Sequence, residues 1–412
     1  MDNNIDAAIK WLSESDIINK DKQKPSFGGI NNGYFWKDKK YQFVYNEITG
    51  YAINAFINLY RVLGKEKYLQ YSKNAADYLI SLQAKDNNTF ENGAISHSLT
   101  LPDLKNVKNY YSFDNAIILH GMINLYKITN EKKYHDVCLD IGNWLLKMQK
   151  GDGSFYSYYD AENKIIDHEY DEFFFDNGCL HIKNAIGLMF LNHIRDKKRY
   201  YDAGLKICNW GERLLDKDGI FWVNPRKKYV FTHSHCYATE GYLYAYYLSQ
   251  NQEYLNIAKK AGEALIALQN HDGSLYRIYK NKISMKRWMN EKYKLSVTTW
   301  INEKRYPWKT IDATAQASRI WTLLYSINNE KKFLKPAKKA NDFIIKNQVL
   351  DTNDQNMFGG FYYQLCDKFG KNELKLEKGM YTWCTQFSLS ALMLLKSTQN
   401  TVEFDNLIEM LF

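Results

Sequence analysis

Proline is scarce, with five residues in 412. Proline breaks helix interiors, so its rarity removes the main obstacle to a chain built mostly of helices. Cysteine is sparse too: Cys138, Cys179, Cys208, Cys236, Cys366 and Cys384 form no CxxC pair. That spacing excludes a disulfide framework and suits buried thiols in a reducing compartment. No apolar run reaches the length of a membrane span. No Pro/Ser-rich linker or low-complexity stretch divides the chain, and no compact Lys/Arg cluster marks a nucleic-acid surface. The N-terminus is polar and acidic before its first helix, unlike a signal peptide. These absences predict a cytoplasmic protein with no membrane span and no nucleic-acid partner, folded as one domain over residues 1–412. None of them speaks to oligomeric state.

What the chain does contain is a repeat. Tyr68, Tyr134, Tyr200, Tyr254 and Phe333 each follow a short charged turn, and fifteen residues later an amphipathic helix ends, at Gln83, Gln149, Leu215, Gln269 and Gln348. Tyr60, Tyr126, Tyr246 and Tyr325 stand eight residues before four of these aromatics. A constant offset with irregular gaps between copies marks a repeated structural unit with variable loops. Apolar periodicity places a first, nearly all-apolar helix of each unit near 49–63, 113–127, 177–195, 235–249 and 311–327, with a sixth near 380–396. The second helices, near 66–84, 131–150, 198–215, 252–270 and 331–349, carry Lys and Glu at solvent spacing. The missing sixth outer helix is found in Asp6-Ala-Ala-Ile-Lys-Trp-Leu at the N-terminus. Pairing it with the last inner helix closes a ring. An open solenoid would instead expose the apolar faces of its terminal repeats. The expected fold is therefore all-α, an (α/α)6 toroid of six hairpins.

Gly- and aromatic-rich loops follow the outer helices: Gly28-Gly-Ile-Asn-Asn-Gly-Tyr-Phe-Trp, Gly151-Asp-Gly-Ser-Phe-Tyr, Asp218-Gly-Ile-Phe-Trp, Asp272-Gly-Ser-Leu-Tyr and Gly359-Gly-Phe-Tyr-Tyr. Such runs favour tight positive-φ turns and short strand pairs. A degraded copy reads Asn87-Asn-Thr-Phe-Glu-Asn-Gly. With 33 tyrosines and ten tryptophans, aromatics are abundant enough to fill a core and still face a ligand from these loops. The net charge of +9 fits either a lysine-favouring genome or attraction of an anionic ligand.

The first turns of the inner helices would line the toroid's cavity, where polar residues cost burial energy. They bring Glu47, the Phe113-Asp114-Asn115 and Phe175-Asp176-Asn177 runs, His233 with His235, Tyr237 and Glu240, Asp312 with Gln316, and Trp383 with Gln386. Any single Asp here is open to a plain helix-capping role. Six coincident clusters are not explained that way, and Glu47 and Glu240 lie inside their helices. Asp114 and Asp176 recur in the same tripeptide of neighbouring repeats, so two carboxyl groups could flank one substrate as acid and base. His233, His235 and Cys236 do not share a helix face and find no further ligands in the sequence, so no metal is expected. His235 is open to a base role, a sugar-hydroxyl contact or a structural one.

On these residues the chain resembles the six-hairpin glycosidase-like toroids, which include unsaturated glucuronyl and rhamnogalacturonyl hydrolases, N-acylglucosamine 2-epimerases and polysaccharide-biosynthesis proteins. The resemblance spans nearly the whole length as architecture rather than as a tight signature. It implies that Asp114 and Asp176, 62 residues apart, form a catalytic pair of the glucuronyl hydrolase type. Asp312-Ala-Thr-Ala-Gln-Ala is similar to the fifth inner helix of those hydrolases, whereas His235-Cys-Tyr-Ala-Thr-Glu-Gly replaces their Trp-x-Arg-Gly-Gln-like run. Tyr45-Asn-Glu-Ile-Thr-Gly looks more like the biosynthesis-type members. In an epimerase of this fold, His181 and His235 would be the two histidines.

The expected function is carbohydrate-active and glycoside hydrolase-like, on an oligosaccharide or sugar derivative that is acidic, without cofactor. Asp114, Asp176, His235 and Glu240 are the catalytic candidates. Glu47, His181 and His233 would contact sugar, Tyr237, Trp308 and Trp383 would stack on it, and Lys183 or Arg305 would hold a carboxylate. Asp312, Gln316 and Gln386 complete the candidate lining. A sugar epimerase and a non-catalytic glycan-binding or scaffold protein are the rival readings.

Overall fold

The computed structural model describes residues 1–166, 178–194, 198–224, 229–280, 308–367, 374–376, 379–398 and 404–409. Odd-numbered helices form an outer layer and even-numbered ones an inner layer. The outer helices are α1 (Asp2–Glu14), α3 (Glu66–Ser81), α5 (Lys132–Met148), α7 (Lys198–Gly211), α9 (Gln252–Leu268) and α11 (Lys331–Lys346). The inner helices are α2 (Asn46–Leu63), α4 (Ser112–Thr129), α6 (Asn184–Ile194), α8 (Thr232–Ser249), α10 (Ile311–Asn328) and α12 (Thr382–Thr398). A 3-10 turn (Cys179–Lys183) leads into α6, so the third inner helix starts later than its sequence run suggests. A short α13 (Phe404–Ile408) follows.

Each inner helix packs on the next, and α12 packs on α2, so the ring closes. Helix α1 packs on α12 and supplies the sixth outer helix, as the sequence predicts. In α2, α4 and α10 every residue of the first 14 is buried, which is why those segments read as apolar on all sides. Among the described residues no helix is long and apolar enough to cross a membrane.

The spacing noticed in the sequence has a mechanical cause. Gly64, Asn130, Gln250 and Asn329 take left-handed conformations and donate their N–H to the carbonyls of Tyr60, Tyr126, Tyr246 and Tyr325 at 2.7–2.8 Å. These left-handed caps end the inner helices. Four residues on, Tyr68, Tyr134, Tyr254 and Phe333 are buried in the turn that starts the outer helix, as Tyr200 is in its own repeat. At the far end, the amides of Gln83, Gln149, Gln269 and Gln348 donate to the carbonyls of Gly93, Gly153, Gly273 and Gly359 at 2.8–3.1 Å.

The loop glycines set the ring's pitch. Gly28, Gly93, Gly153, Gly219, Gly273 and Gly359 all have φ between +85° and +95°. A Cβ on Gly359 would lie 2.0 Å from the Ala7 carbonyl oxygen, and one on Gly28 2.2 Å from that of Asn74. Each loop thus lies flat against the following outer helix, and the Gly359 contact on α1 is the same joint closing the circle. Only glycine tolerates both the φ and the approach.

Candidate active site

Two sets of contacts fix the register of the inner helices. Gly121, Gly187 and Gly241 pack against the carbonyls of Gly50, Ala116 and Ile182 on the preceding inner helix. This aligns Thr49, Asn115, His181 and His235. The same position serves the loops: Ile30, Ile95, Phe221 and Leu275 donate their backbone N–H to Thr49 Oγ1, Asn115 Oδ1, His235 Nδ1 and Thr314 Oγ1 at 2.8–3.1 Å. His181 stacks on Phe155, the matching loop residue, with ring centroids 6.3 Å apart.

That frame corrects several expectations. His235 is not a base. It is fully buried, and its Nε2 donates to the Ala261 carbonyl at 3.2 Å, so both ring nitrogens hold backbone. Burial lowers its pKa to about 4, which keeps it neutral. His181 occupies the same structural row, stacked on Phe155. Gln386 donates to the Ile48 carbonyl at 3.4 Å and joins α12 to α2 rather than lining the site. In this register Asp114 aligns with Leu180. Asp176 and Arg305 lie outside the described residues.

The side chains two residues either side of the frame row point to the axis. Lys183 Nζ sits 4.4 Å from the ring centre of Tyr237, 4.9 Å from that of Tyr51 and 5.9 Å from that of Phe387. It is 2.7 Å from Glu240 Oε2, while Arg319 binds Glu240 Oε1 at 2.5 Å and lies over Phe387. All three ions are buried, with side-chain exposures of 2%, 0% and 0%. Two cations around one carboxylate leave a surplus positive charge under the site. Burial pulls Lys183 down to about 8 against the opposing pull of Glu240. Glu240, expected to be catalytic, instead balances charge in this floor.

Above the floor stand two polar walls. One is built by α2 and α4. Asp114 is wholly buried, and its Oδ2 lies 2.9 Å from Nδ1 of His97, whose side chain is 22% exposed. Burial, then the charge of Asp114, raises the Glu47 carboxyl to about 8, while a bond from Tyr45 opposes the rise. Glu47 is therefore an acid at neutral pH.

The other wall is built by α8, α10 and α12. His233 Nδ1 lies 3.5 Å from Asp312 Oδ2, and the same oxygen accepts from Trp383 Nε1 at 3.2 Å. Gln316, one turn along, adjoins the imidazole. Burial first, and then Lys183, lowers the His233 pKa to about 3, whereas burial raises Asp312 to about 6. Trp383 stacks on Tyr381 at 4.4 Å, with Tyr363 edge-on to both. Trp308 is half-buried beside this rim, its carbonyl accepting from the Arg277 N–H. Among the described residues no group of three or more His, Cys, Asp or Glu is placed to hold a metal ion.

His97 and Arg277 were not legible as site residues, yet a simple count reaches them. The residue four after each loop glycine accepts the first backbone N–H of an inner helix: His97 from Asn46, Arg277 from Thr232, Tyr363 from Ile311. Asn32, Ser157 and Val223 do the same for Thr382, Ser112 and Cys179. Each loop therefore delivers one side chain to the rim. The copy around Gly93 looked degraded because its aromatics are lost, but its geometry is intact.

The model of glycosyl hydrolase family 76 matches residues 15–175 of the chain. No curated protein matches it by sequence. Solved structures match in fold. A sugar epimerase from a ruminal bacterium superposes with a TM-score of 0.73 at 12% identity, covering 98% of both chains. Cellobiose 2-epimerase from Bacillus thermoamylovorans B4167 gives 0.69 at 14%, covering 94% of this chain and 98% of that one. Unsaturated glucuronyl hydrolase from Bacillus sp. GL1 gives 0.61 at 13%, covering 98% of both. With its closed ring of six hairpins, this chain has the six-hairpin glycosidase-like (α/α)6 toroid fold.

Proposed function

We propose that the protein is a carbohydrate-active enzyme that acts on an oligosaccharide or sugar derivative by glycoside hydrolase-type acid–base chemistry. The observation that carries this reading is the pairing of Glu47 with Asp114 on adjacent inner helices. One carboxyl is kept protonated by burial and by its neighbour, while the other is bonded to an imidazole. Two carboxyls with opposed environments divide into acid and base. Glu47 would protonate the leaving oxygen, and Asp114 would stand on the basic side. The family 76 match over residues 15–175 includes both. The Trp383–Tyr381 stack offers apolar faces for sugar rings. The surplus positive charge of Lys183 and Arg319 around Glu240 favours an acidic sugar.

A glycan panel of uronates, unsaturated uronides, N-acetylhexosamines and neutral oligosaccharides tests this by thermal shift and then by mass spectrometry of overnight incubations. We expect a ligand that stabilises the protein to be cleaved or hydrated, and Glu47→Gln and Asp114→Asn each to lower turnover by about 10²-fold or more. Unchanged turnover in both variants removes the pair. The other wall favours a second reading, a sugar epimerase: His233, neutral at working pH, could take a proton beside Asp312, and the matching structures include sugar epimerases. That reading predicts a product of unchanged mass with solvent deuterium in the sugar. Binding without turnover, and with affinity insensitive to both variants, would leave the glycan-binding role.

A further inference from the structure

We infer that the proton acceptor on the α2–α4 wall is Nε2 of His97, with Asp114 as its positioning residue. This rests on the acid–base reading of that wall and adds a residue to it. Asp114 is completely buried, with one oxygen 2.9 Å from the imidazole, whereas His97 is 22% exposed. The atom within reach of a ligand is on the imidazole, not the carboxylate. The ring is held in place by aromatics: Tyr45 at 4.7 Å, Tyr111 at 4.8 Å and Phe43 at 6.3 Å between centroids. Its backbone carbonyl is tied to the first N–H of α2, at Asn46. A buried carboxylate that accepts a hydrogen bond from Nδ1–H fixes the tautomer and leaves Nε2 as an acceptor. Among the described residues no protein group is bonded to that nitrogen. The titratable neighbours around the ring are Asp114 from α4, Glu47 and Tyr45 from the start of α2, and Tyr111 from the strand before α4.

The step balances in a hydrolysis. A water oxygen bonds to the anomeric carbon as one water proton passes to Nε2. The bond from that carbon to the glycosidic oxygen breaks, and the Glu47 proton goes to the departing oxygen. The imidazolium then returns its proton through solvent to reset Glu47.

Nitrogen-resolved NMR of the histidine rings in the full-length protein, titrated with pH, tests the dyad without any substrate. We expect His97 to be the Nδ1–H tautomer, and Asp114→Asn to remove that preference, since the buried carboxylate is what holds the Nδ1 proton in place. An Nε2–H tautomer, or a tautomer preference that Asp114→Asn leaves in place, overturns the proposal whatever the protein acts on. The second measurement is turnover of unsaturated uronides and neutral oligosaccharides by His97→Gln. A fall in kcat of about 10²-fold with KM nearly unchanged, and loss of the acidic limb of the pH profile, is expected. Full kcat in that variant overturns the catalytic role even if the tautomer is right. If no glycan is turned over by the native protein while the NMR result stands, the carbohydrate reading fails and the dyad survives.

Discussion

The six loop glycines share one φ and one kind of neighbour, whereas the positions two residues before Thr49, Asn115, His181, His235 and Thr314 hold Glu47, Phe113, Cys179, His233 and Asp312. The first set is a sixfold joint, and its uniformity is what a ring needs: every copy must deliver the same rotation. The second set varies freely, and its polar members gather on two walls. Repetition marks what builds the ring, and its failure marks where chemistry is free to develop. Histidine illustrates the point. His235 stands in the repeated row and holds backbone, while His233, two residues earlier, faces Asp312.

This contrast can be broken experimentally. The largest effect should come from the floor, where Glu240→Gln strands two buried cations. A loss of about 3–5 kcal/mol in denaturant unfolding is expected, and a loss under 1 kcal/mol would mean that the triad is not closed to water. Next is the joint. Gly359→Ala introduces both a left-handed alanine and a clash with α1, so a loss of about 2 kcal/mol or more is expected. Gly64→Ala, where a Cβ meets nothing within 4 Å, should carry only the φ penalty of about 1 kcal/mol. Equal losses in the two variants would show that α1 does not define the joint.

The histidine pair sharpens the comparison further. His235→Ala should destabilise by about 1–3 kcal/mol by leaving the Phe221 N–H unbonded, with ligand affinity in the glycan panel unchanged. His233→Gln should do the reverse, and swapped outcomes would invert the assignment of frame and site. The last effect is a pH dependence. The folded Glu47 carboxyl titrates at about 8, above the 4.5 of the unfolded chain. The unfolded state therefore loses its proton first, and native stability falls as pH rises from 4.5 to 8. Glu47→Gln removes that fall, so its unfolding free energy should gain on that of the native protein between pH 5 and 8, by about 3 kcal/mol. A constant difference across that range would show that Glu47 is ionised when folded.

The sequence made the frame legible and most of the chemistry only partly so, for one reason. Frame contacts are local or repeat at fixed offsets, so Tyr60 to Tyr68 and Tyr68 to Gln83 announce themselves along the chain. Site contacts cross the ring. Nothing in the text of the sequence ties Arg319 to Glu240, 79 residues earlier, or places Lys183 among Tyr51, Tyr237 and Phe387. Glu47, Asp114, His233, Asp312 and Trp383 can be nominated from sequence because helix starts converge in a toroid. His235 and Gln386 were misread because a polar residue at a helix start looks the same whether it turns to the axis or to the adjoining loop. The delayed start of the third inner helix is likewise invisible in the sequence, and Asp176 lies outside the described residues.

The joint at Gly359 also has a bearing on how the protein is made. Helix α1 is made before the other helices of the ring, yet its docking surface lies on α12 and on the loop at Gly359, more than 340 residues later. Five hairpins can assemble in order of synthesis, each on its predecessor. The sixth cannot, because its two helices, α1 and α12, are the first and the last of the twelve ring helices to be made. Until they meet, the apolar sides of Trp11, Leu12 and Ile5 have no partner, so nascent chains should rely on chaperones most at this end.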